Sequence, residues 1–341
     1  MGRTAHAAHG LGRCPPPMGR AGSRLRGPLR QRPMCRALAA GAVPLIAGTR
    51  YPSPPIGLTM PRLLRSAWRS LFPGLQRSLP AHHGHPLLAR LDRAATVYHQ
   101  LYENGHYNPA TNGEAWLLRQ LAPLRPRMIL DVGANRGEYS ALALEACPEA
   151  QVHAFEPIPV VVAQLQEALG HHPRCTIHNL ALADQEGELH FWFDPVQTGN
   201  TSAVADVQTA IHGLSVPEQI NAPAQRLDHF CERNSIETID LLKIDVEGFE
   251  SKVLIGGGAM LKDGSISCVQ IEYGKANLFS RYFIHDYMGD HGDSYAIGKL
   301  YPRGVRWFER YTADLDDLMG PNLVMVNRGR PDLVGLFSAY K

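Results

Sequence analysis

Between residues 128 and 273 the apolar positions fall into short continuous runs, separated by stretches in which they recur at helical spacing. The runs at 128–132, 151–155, 176–181, 188–193, 240–246 and 267–273 are too short for stable helices and rich in β-branched and aromatic residues, which predicts strands. The stretches at 138–147, 159–169, 227–234 and 250–262 predict helices. Strands alternating with helices imply an α/β domain whose mainly parallel sheet is covered on both faces. Crossovers in such a sheet are right-handed, and ligands gather at the carboxyl ends of the strands. Farther along, 305–311 and 322–327 read as a closing pair of strands, one of them antiparallel. The stretch 277–298 mixes Tyr282, Phe283, His285, Tyr287, His291 and Tyr295 with Gly and Asp. It reads either as the wall of an acceptor pocket or as a helix packed on the sheet edge.

Upstream of the alternating region the pattern is different. In 60–79, Leu64, Trp68, Leu71 and Leu75 fall on one helical face while Arg62, Arg65 and Arg69 fall elsewhere. This predicts a basic amphipathic helix, interrupted near Pro73, that docks on the following domain or, as the alternative, lies on an anionic membrane surface. Residues 1–59 are rich in Arg, Pro, Gly and Ala without periodicity and are expected to form a disordered leader. Translation starting at Met34 or Met60, or an organellar transit peptide, are the other readings of that stretch. The chain therefore divides into a leader (1–59), an amphipathic helix with its linker (60–86) and an organised α/β domain (87–341). No apolar run approaches the roughly 18–20 residues needed to span a bilayer.

Charge sharpens the division. Residues 1–91 hold 14 Arg and no Lys, Asp or Glu, so the remaining residues carry 20 basic against 32 acidic side chains, a net of −12. An acidic body argues against a nucleic-acid partner, which demands clustered positive charge. It suits a small-molecule or glycan acceptor. The six cysteines are scattered with no C-x-x-C pair, which reads as reduced thiols in a cytoplasmic protein rather than disulfides or a zinc site.

The candidate chemistry sits at strand ends. Asp131-Val132-Gly133-Ala134-Asn135-Arg136-Gly137 carries a strand through a glycine turn into a helix: Gly133 lets the backbone approach a ligand and Gly137 permits the sharp helix entry. The spacing D-x-G-x-x-x-G is not the dinucleotide G-x-G-x-x-G. Glu156 ends the next strand, 25 residues after Asp131, where a carboxylate can accept from both hydroxyls of a ribose. Asp184 is a second carboxylate just past a strand, or a turn former before Gly187. Lys243, Asp245 and Glu247 alternate with apolar residues at the end of a buried strand, a costly arrangement unless the charges are paired or functional. The histidines at 82–85 and 171–172 read as solvated, and no metal site is expected: carboxylates without His or Cys partners have the composition for Mg²⁺, but a structural role is preferred.

Together these pieces resemble the FkbM family of methyltransferases. The matching segments are D-V-G-A-N-R-G at 131–137, F-E-P at 155–157, A-L-A-D-Q-E-G ending at Gly187, Thr201-Ser202, R-L-D at 226–228 and, most specific, L-K-I-D-V-E-G-F-E at 242–250. The resemblance covers about 128–273, more loosely extending to Asn327. It implies a Rossmann-like class I methyltransferase fold with a seven-stranded sheet, S-adenosylmethionine as donor, and O-methylation of a sugar or secondary metabolite. Carried over, Asp131, Gly133, Asn135 and Gly137 hold the methionine side of the donor, Glu156 the ribose and Asp184 the adenine. Asp245 is then the candidate base, with Lys243 tuning it and Glu247 facing the acceptor. A nicotinamide-dependent oxidoreductase and a non-catalytic binding protein on the same fold are the competing readings.

Overall fold

The computed structural model describes residues 62–194, 201–211, 213, 218–320 and 322–338, with backbone alone for 62–70 and 208. The expected leader, Cys14, Cys35 and the alternative starts at Met34 and Met60 lie outside these residues. Two units divide the chain after Gly74. Helix α1 (Arg62–Ala81) runs through Pro73 without the expected interruption. Proline there removes one i→i−4 hydrogen bond, and the chain keeps helical geometry on both sides. Leu71, Leu75 and Leu79 are exposed on it. Helix α2 (Pro86–Tyr102) starts at His85, whose ring accepts from the Leu87 amide, and it buries no residue.

The catalytic body begins with α3 (Glu114–Leu121) and proceeds through β1 (Met128–Val132), α4 (Glu138–Ala146), β2 (Gln151–Phe155), α5 (Pro159–Leu169), β3 (Cys175–His178), β4 (Ala181–Ala183), β5 (Gly187–Phe193), α6 (Ala205–Ala210) and β6 (Glu218–Arg226). It continues with α7 (Leu227–Arg233), β7 (Leu241–Ile244), α8 (Glu250–Gly256), α9 (Gly258–Asp263), β8 (Cys268–Glu272), α10 (Asn277–Ser280), α11 (Ile284–His291), β9 (Tyr295–Tyr301), β10 (Gly304–Trp307), β11 (Asn322–Asn327) and α12 (Pro331–Phe337). The central sheet has the order β10-β9-β11-β8-β7-β1-β2-β3. Strands β3, β2, β1, β7 and β8 are parallel, and β11 enters antiparallel between β8 and β9. Its strands are apolar on both faces. Leu130, Val132, Leu242, Ile244, Val269 and Ile271 face one buried cluster, and Ile129, Leu241, Cys268, Val324 and Val326 the other.

The expected mainly parallel α/β sheet is present, with eight strands rather than seven. The extra strand is β10, which pairs with β9 and not with β11; the expected closing pair 305–311 and 322–327 is therefore not a hairpin. The run 176–181 is two strands in two sheets. The Asn179 side-chain amide donates to the carbonyls of Glu156 and Pro157 (3.1 and 2.9 Å), which turns the chain out of the central sheet. The second sheet, β4-β6-β5, contains β6, which the apolar pattern did not announce. Pro223 lies within β6, beyond the stretch that β4 reaches (Ala224–Arg226), so one side of the strand is open where an N–H is missing. The helix expected over 250–262 is two, α8 and α9, separated at Gly257, whose φ and ψ of −99° and 13° leave the helical range. In the stretch 277–298, Tyr287 and Tyr295 are core residues, which favours the packing alternative over the pocket wall.

Candidate active site

At the carboxyl end of β1 the backbone turns sharply, with positive φ at Gly133 (83°), Asn135 (47°) and Gly137 (87°). The Gly133 and Ala134 amides both donate to the Phe155 carbonyl (3.0 and 2.9 Å), which fastens the turn to the end of β2. A Cβ on Gly133 would fall inside the van der Waals radius of the Asp245 carbonyl oxygen, so the loops after β1 and β7 touch main chain to main chain. Gly137 is set by a different neighbour: a Cβ there would press on Leu165 and Leu169 of α5. Five of the expected residues, Asp131, Gly133, Asn135, Gly137 and Glu156, thus converge on one turn.

Glu156 is buried at the β2 end and accepts one amide on each oxygen, from Asn135 (3.1 Å) and Ile158 (3.0 Å). Burial pushes its carboxyl up to about 7 against those two bonds. Each oxygen keeps a second lone pair for a further donor. Asp131 is completely buried; the Ser140 hydroxyl donates to its Oδ2 (2.6 Å), while Oδ1 has no hydrogen-bond partner among the described residues. Burial raises this carboxyl too, opposed by Lys243 across the strand pair. Asp184 stands apart. Its carboxylate is held by Lys252 of α8 (2.8 Å), and its carbonyl by Arg226.

The β7 end carries the densest charge. The Lys243 side chain is 4 % exposed, lies over the Tyr139 ring (5.0 Å) and bridges Asp245 Oδ2 at 2.9 Å. Burial disfavours its ammonium, but Asp245, Asp131 and Glu114 outweigh that and hold it protonated. Burial likewise opposes the Asp245 charge, yet Lys243 and a hydrogen bond from Glu272 keep its carboxyl below the usual range. Glu272, at the end of the neighbouring β8, is held protonated by burial and by the charges of Asp245 and Glu247. Glu247 takes positive φ (51°), and its carbonyl accepts the Ser202 hydroxyl (2.6 Å). That bond gives the Thr201-Ser202 segment a role in fixing the loop.

These side chains open onto a cleft of about 500 Å³ lined by Tyr107, Asp245, Glu247, Glu250, Glu272 and Asn277, among others. Glu272, Glu250 and Tyr107 were not singled out from the sequence. For Glu272 a signal existed: a carboxylate at the carboxyl end of a predicted strand, the same position that marked Asp245. Tyr107 arrives from the segment after α2, which Asn104 anchors through its side-chain bonds to the Asn112 and Leu300 carbonyls (2.8 and 3.1 Å). Nothing in the local pattern connects it to the sheet.

A sheet of this order, with β11 inserted antiparallel beside β8, a glycine turn after β1 and an acid ending β2, has the class I methyltransferase fold. The comparison with known proteins narrows the class. Residues 131–295 match the family described as the methyltransferase FkbM domain, and this stretch of the chain carries a domain of the S-adenosylmethionine-dependent methyltransferases. It is 28% identical over 188 residues to the 2-O-methyltransferase NoeI of Sinorhizobium fredii, covering 52% of this chain and 76% of NoeI. It is 32% identical over 164 residues to the 31-O-demethyl-FK506 methyltransferase FkbM of Streptomyces tacrolimicus, covering 41% of this chain and 63% of that protein. Among solved structures, methyltransferase FkbM from Methylobacillus flagellatus KT aligns with TM-score 0.37 and 16% identity, over 59% of this chain and 43% of that one.

The residues present fit the donor. The unpartnered Asp131 Oδ1 is a buried anionic acceptor of the kind an ammonium group satisfies. Glu156 offers one free lone pair on each oxygen at the distance along the chain where a ribose is held.

Proposed function

We propose that the protein moves the methyl group of S-adenosylmethionine onto a hydroxyl of a sugar or small secondary metabolite held in the cleft over β7 and β8. The observation that carries this reading is the position of Asp245: its main chain touches the glycine turn at Gly133 while its side chain lines the cleft. Donor side and acceptor side meet at one residue. NoeI, a 2-O-methyltransferase, and FkbM, a 31-O-demethyl-FK506 methyltransferase, support a hydroxyl acceptor here.

The donor supplies a methyl group on a sulfonium and departs as a thioether. Asp131, Gly133, Asn135 and Gly137 shape the turn around its methionine part, and Glu156 accepts from its ribose. Asp184, whose carboxylate is occupied by Lys252, is left outside the donor pocket as we draw it. Asp245 accepts the hydroxyl proton, Lys243 fixes its carboxylate, and Glu247 orients the acceptor. A carboxylate held below its usual range is a weak base, so proton removal contributes toward the lower end of the 10²- to 10⁴-fold expected of general bases. Alignment of oxygen, methyl and sulfur, which can supply about 7–11 kcal/mol, carries the larger share. The acidic body disfavours nucleic acid as acceptor. The four described cysteines are free thiols, consistent with a reducing, cytoplasmic setting. Asp245→Asn tests the roles: it retains S-adenosylhomocysteine binding and loses most turnover, whereas full turnover removes Asp245 as the base.

A further inference from the structure

The acceptor cleft holds more carboxyl groups than proton transfer needs. One oxygen each from Asp245, Glu247 and Glu272 lie within 4.8 Å of one another, at the carboxyl ends of the adjacent strands β7 and β8. A fourth carboxylate, Glu250, lines the same cleft and is 1 % exposed. Its Oε1 accepts the Val246 and Gly248 amides (3.2 and 3.0 Å), whereas Oε2 is buried with no hydrogen-bond partner among the described residues. Lys243 meets Asp245 at its Oδ2.

From this geometry we infer that the cleft binds one hard divalent cation, of the Mg²⁺ or Mn²⁺ class, through Asp245, Glu247 and Glu272, with Glu250 facing its hydration shell. An all-oxygen donor set selects hard cations over zinc or copper. Oxygens around a six-coordinate cation at about 2.1–2.4 Å stand no more than roughly 4.8 Å apart, a limit within which the atoms of this triad all lie. Three protein ligands leave positions for water and for an acceptor oxygen, and the unpartnered Glu250 Oε2 would accept from one of those waters. A cation there polarises the acceptor hydroxyl, the assistance that a weak carboxylate base lacks. This departs from the reading of these carboxylates as purely structural. Its catalytic part rests on the proposed acceptor cleft; the binding part does not.

The test uses the full chain stripped with chelator and titrated with Mn²⁺, following loss of the free-ion paramagnetic resonance signal, with Mg²⁺ as competitor. S-adenosylhomocysteine binding is measured on the same samples. The expected result is one site with a Kd on the order of 0.1 mM, displaced by Mg²⁺. Glu272→Gln and Glu247→Gln each weaken it at least tenfold, and the surface control Glu149→Gln leaves it unchanged. Nucleoside binding by both variants shows that the fold is intact. Absence of a stoichiometric site at 1 mM Mn²⁺ in protein that binds S-adenosylhomocysteine overturns the cation site while leaving the donor reading in place. Binding indifferent to both variants places the ion elsewhere and also overturns it. Site-specific Mn²⁺ binding without nucleoside binding upholds the cation and counts against the donor reading.

Discussion

Gly133→Ala is the substitution whose cost can be worked most directly from the structure. The position has φ of 83°, where an L side chain costs about 1–2 kcal/mol. The added Cβ would also lie 1.8 Å from the Asp245 carbonyl oxygen, so one of the two loops must retreat by roughly 1.5 Å to reach normal contact. Forced repacking of this kind costs about 1–3 kcal/mol. The Gly133 and Ala134 amide bonds to Phe155 lie in the path of that retreat. The sum is about 2–5 kcal/mol, a large part of the 5–15 kcal/mol that stabilises an ordinary domain. Gly187→Ala separates the two contributions: its φ of 124° is also unfavourable for a side chain, but a Cβ there meets nothing within 4 Å. Urea unfolding followed by tryptophan fluorescence is the assay. With a slope of about 2–3 kcal/mol per molar, Gly133→Ala lowers the midpoint by roughly 1–2 M, and Gly187→Ala by clearly less. The folded variant binds S-adenosylhomocysteine at least tenfold more weakly. Equal midpoints for the two variants, with unchanged affinity, would refute the contact between the β1 and β7 loops as a determinant of the site.

Three further outcomes follow from the same structure. With Glu156 pushed up to about 7 by burial, it is protonated at lower pH; ribose hydroxyls donate to the ionised form. Affinity for S-adenosylhomocysteine should fall about tenfold per pH unit below 7. Stability without ligand should decline as pH rises from the unfolded carboxyl range through 7, since the folded state binds the extra proton. Glu156→Gln should flatten both profiles in calorimetric titrations and melts. Lys243→Met leaves Asp245 and Asp131 without their shared cation and should cost about 3–5 kcal/mol in urea unfolding, with the added Asp245→Asn recovering part of it; no recovery would deny the pairing. Exposed Leu71, Leu75 and Leu79 share α1 with four arginines and no acid, so the protein should co-sediment with anionic vesicles and not with neutral ones. Leu71→Glu with Leu75→Glu should abolish that, and equal sedimentation with both vesicle types would count against an electrostatic surface helix.

The parts of the fold legible in the sequence were those in which one element determines its own pattern. Strands β1, β2, β7 and β8 are buried on both faces, so their apolar runs stand out, and their carboxyl ends carry the chemistry. The segment β6 was illegible because exposed and buried positions alternate around Pro223, and its strand character comes from pairing with β4 and β5. The split at Asn179 depends on its contacts with carbonyls at the end of β2, which no local spacing encodes. The apolar residues of α1 suggest docking, yet Leu75 and Leu79 are exposed, and no local pattern distinguishes a docked helix from an exposed one. In the site, the glycine turn and Glu156 were readable as motif and spacing. Glu272 and Tyr107 become visible only when β8 is placed beside β7 and the segment after α2 is anchored across the sheet end.

The central claim is that the turn after β1 and the acid ending β2 form the binding site for the adenosyl donor. Calorimetric titration with S-adenosylhomocysteine and, separately, with NAD tests it most directly, the former repeated on Glu156→Ala. Micromolar binding of S-adenosylhomocysteine, lost in the variant and absent for NAD, is the predicted result. Binding of NAD alone, or nucleoside binding indifferent to Glu156, would contradict it.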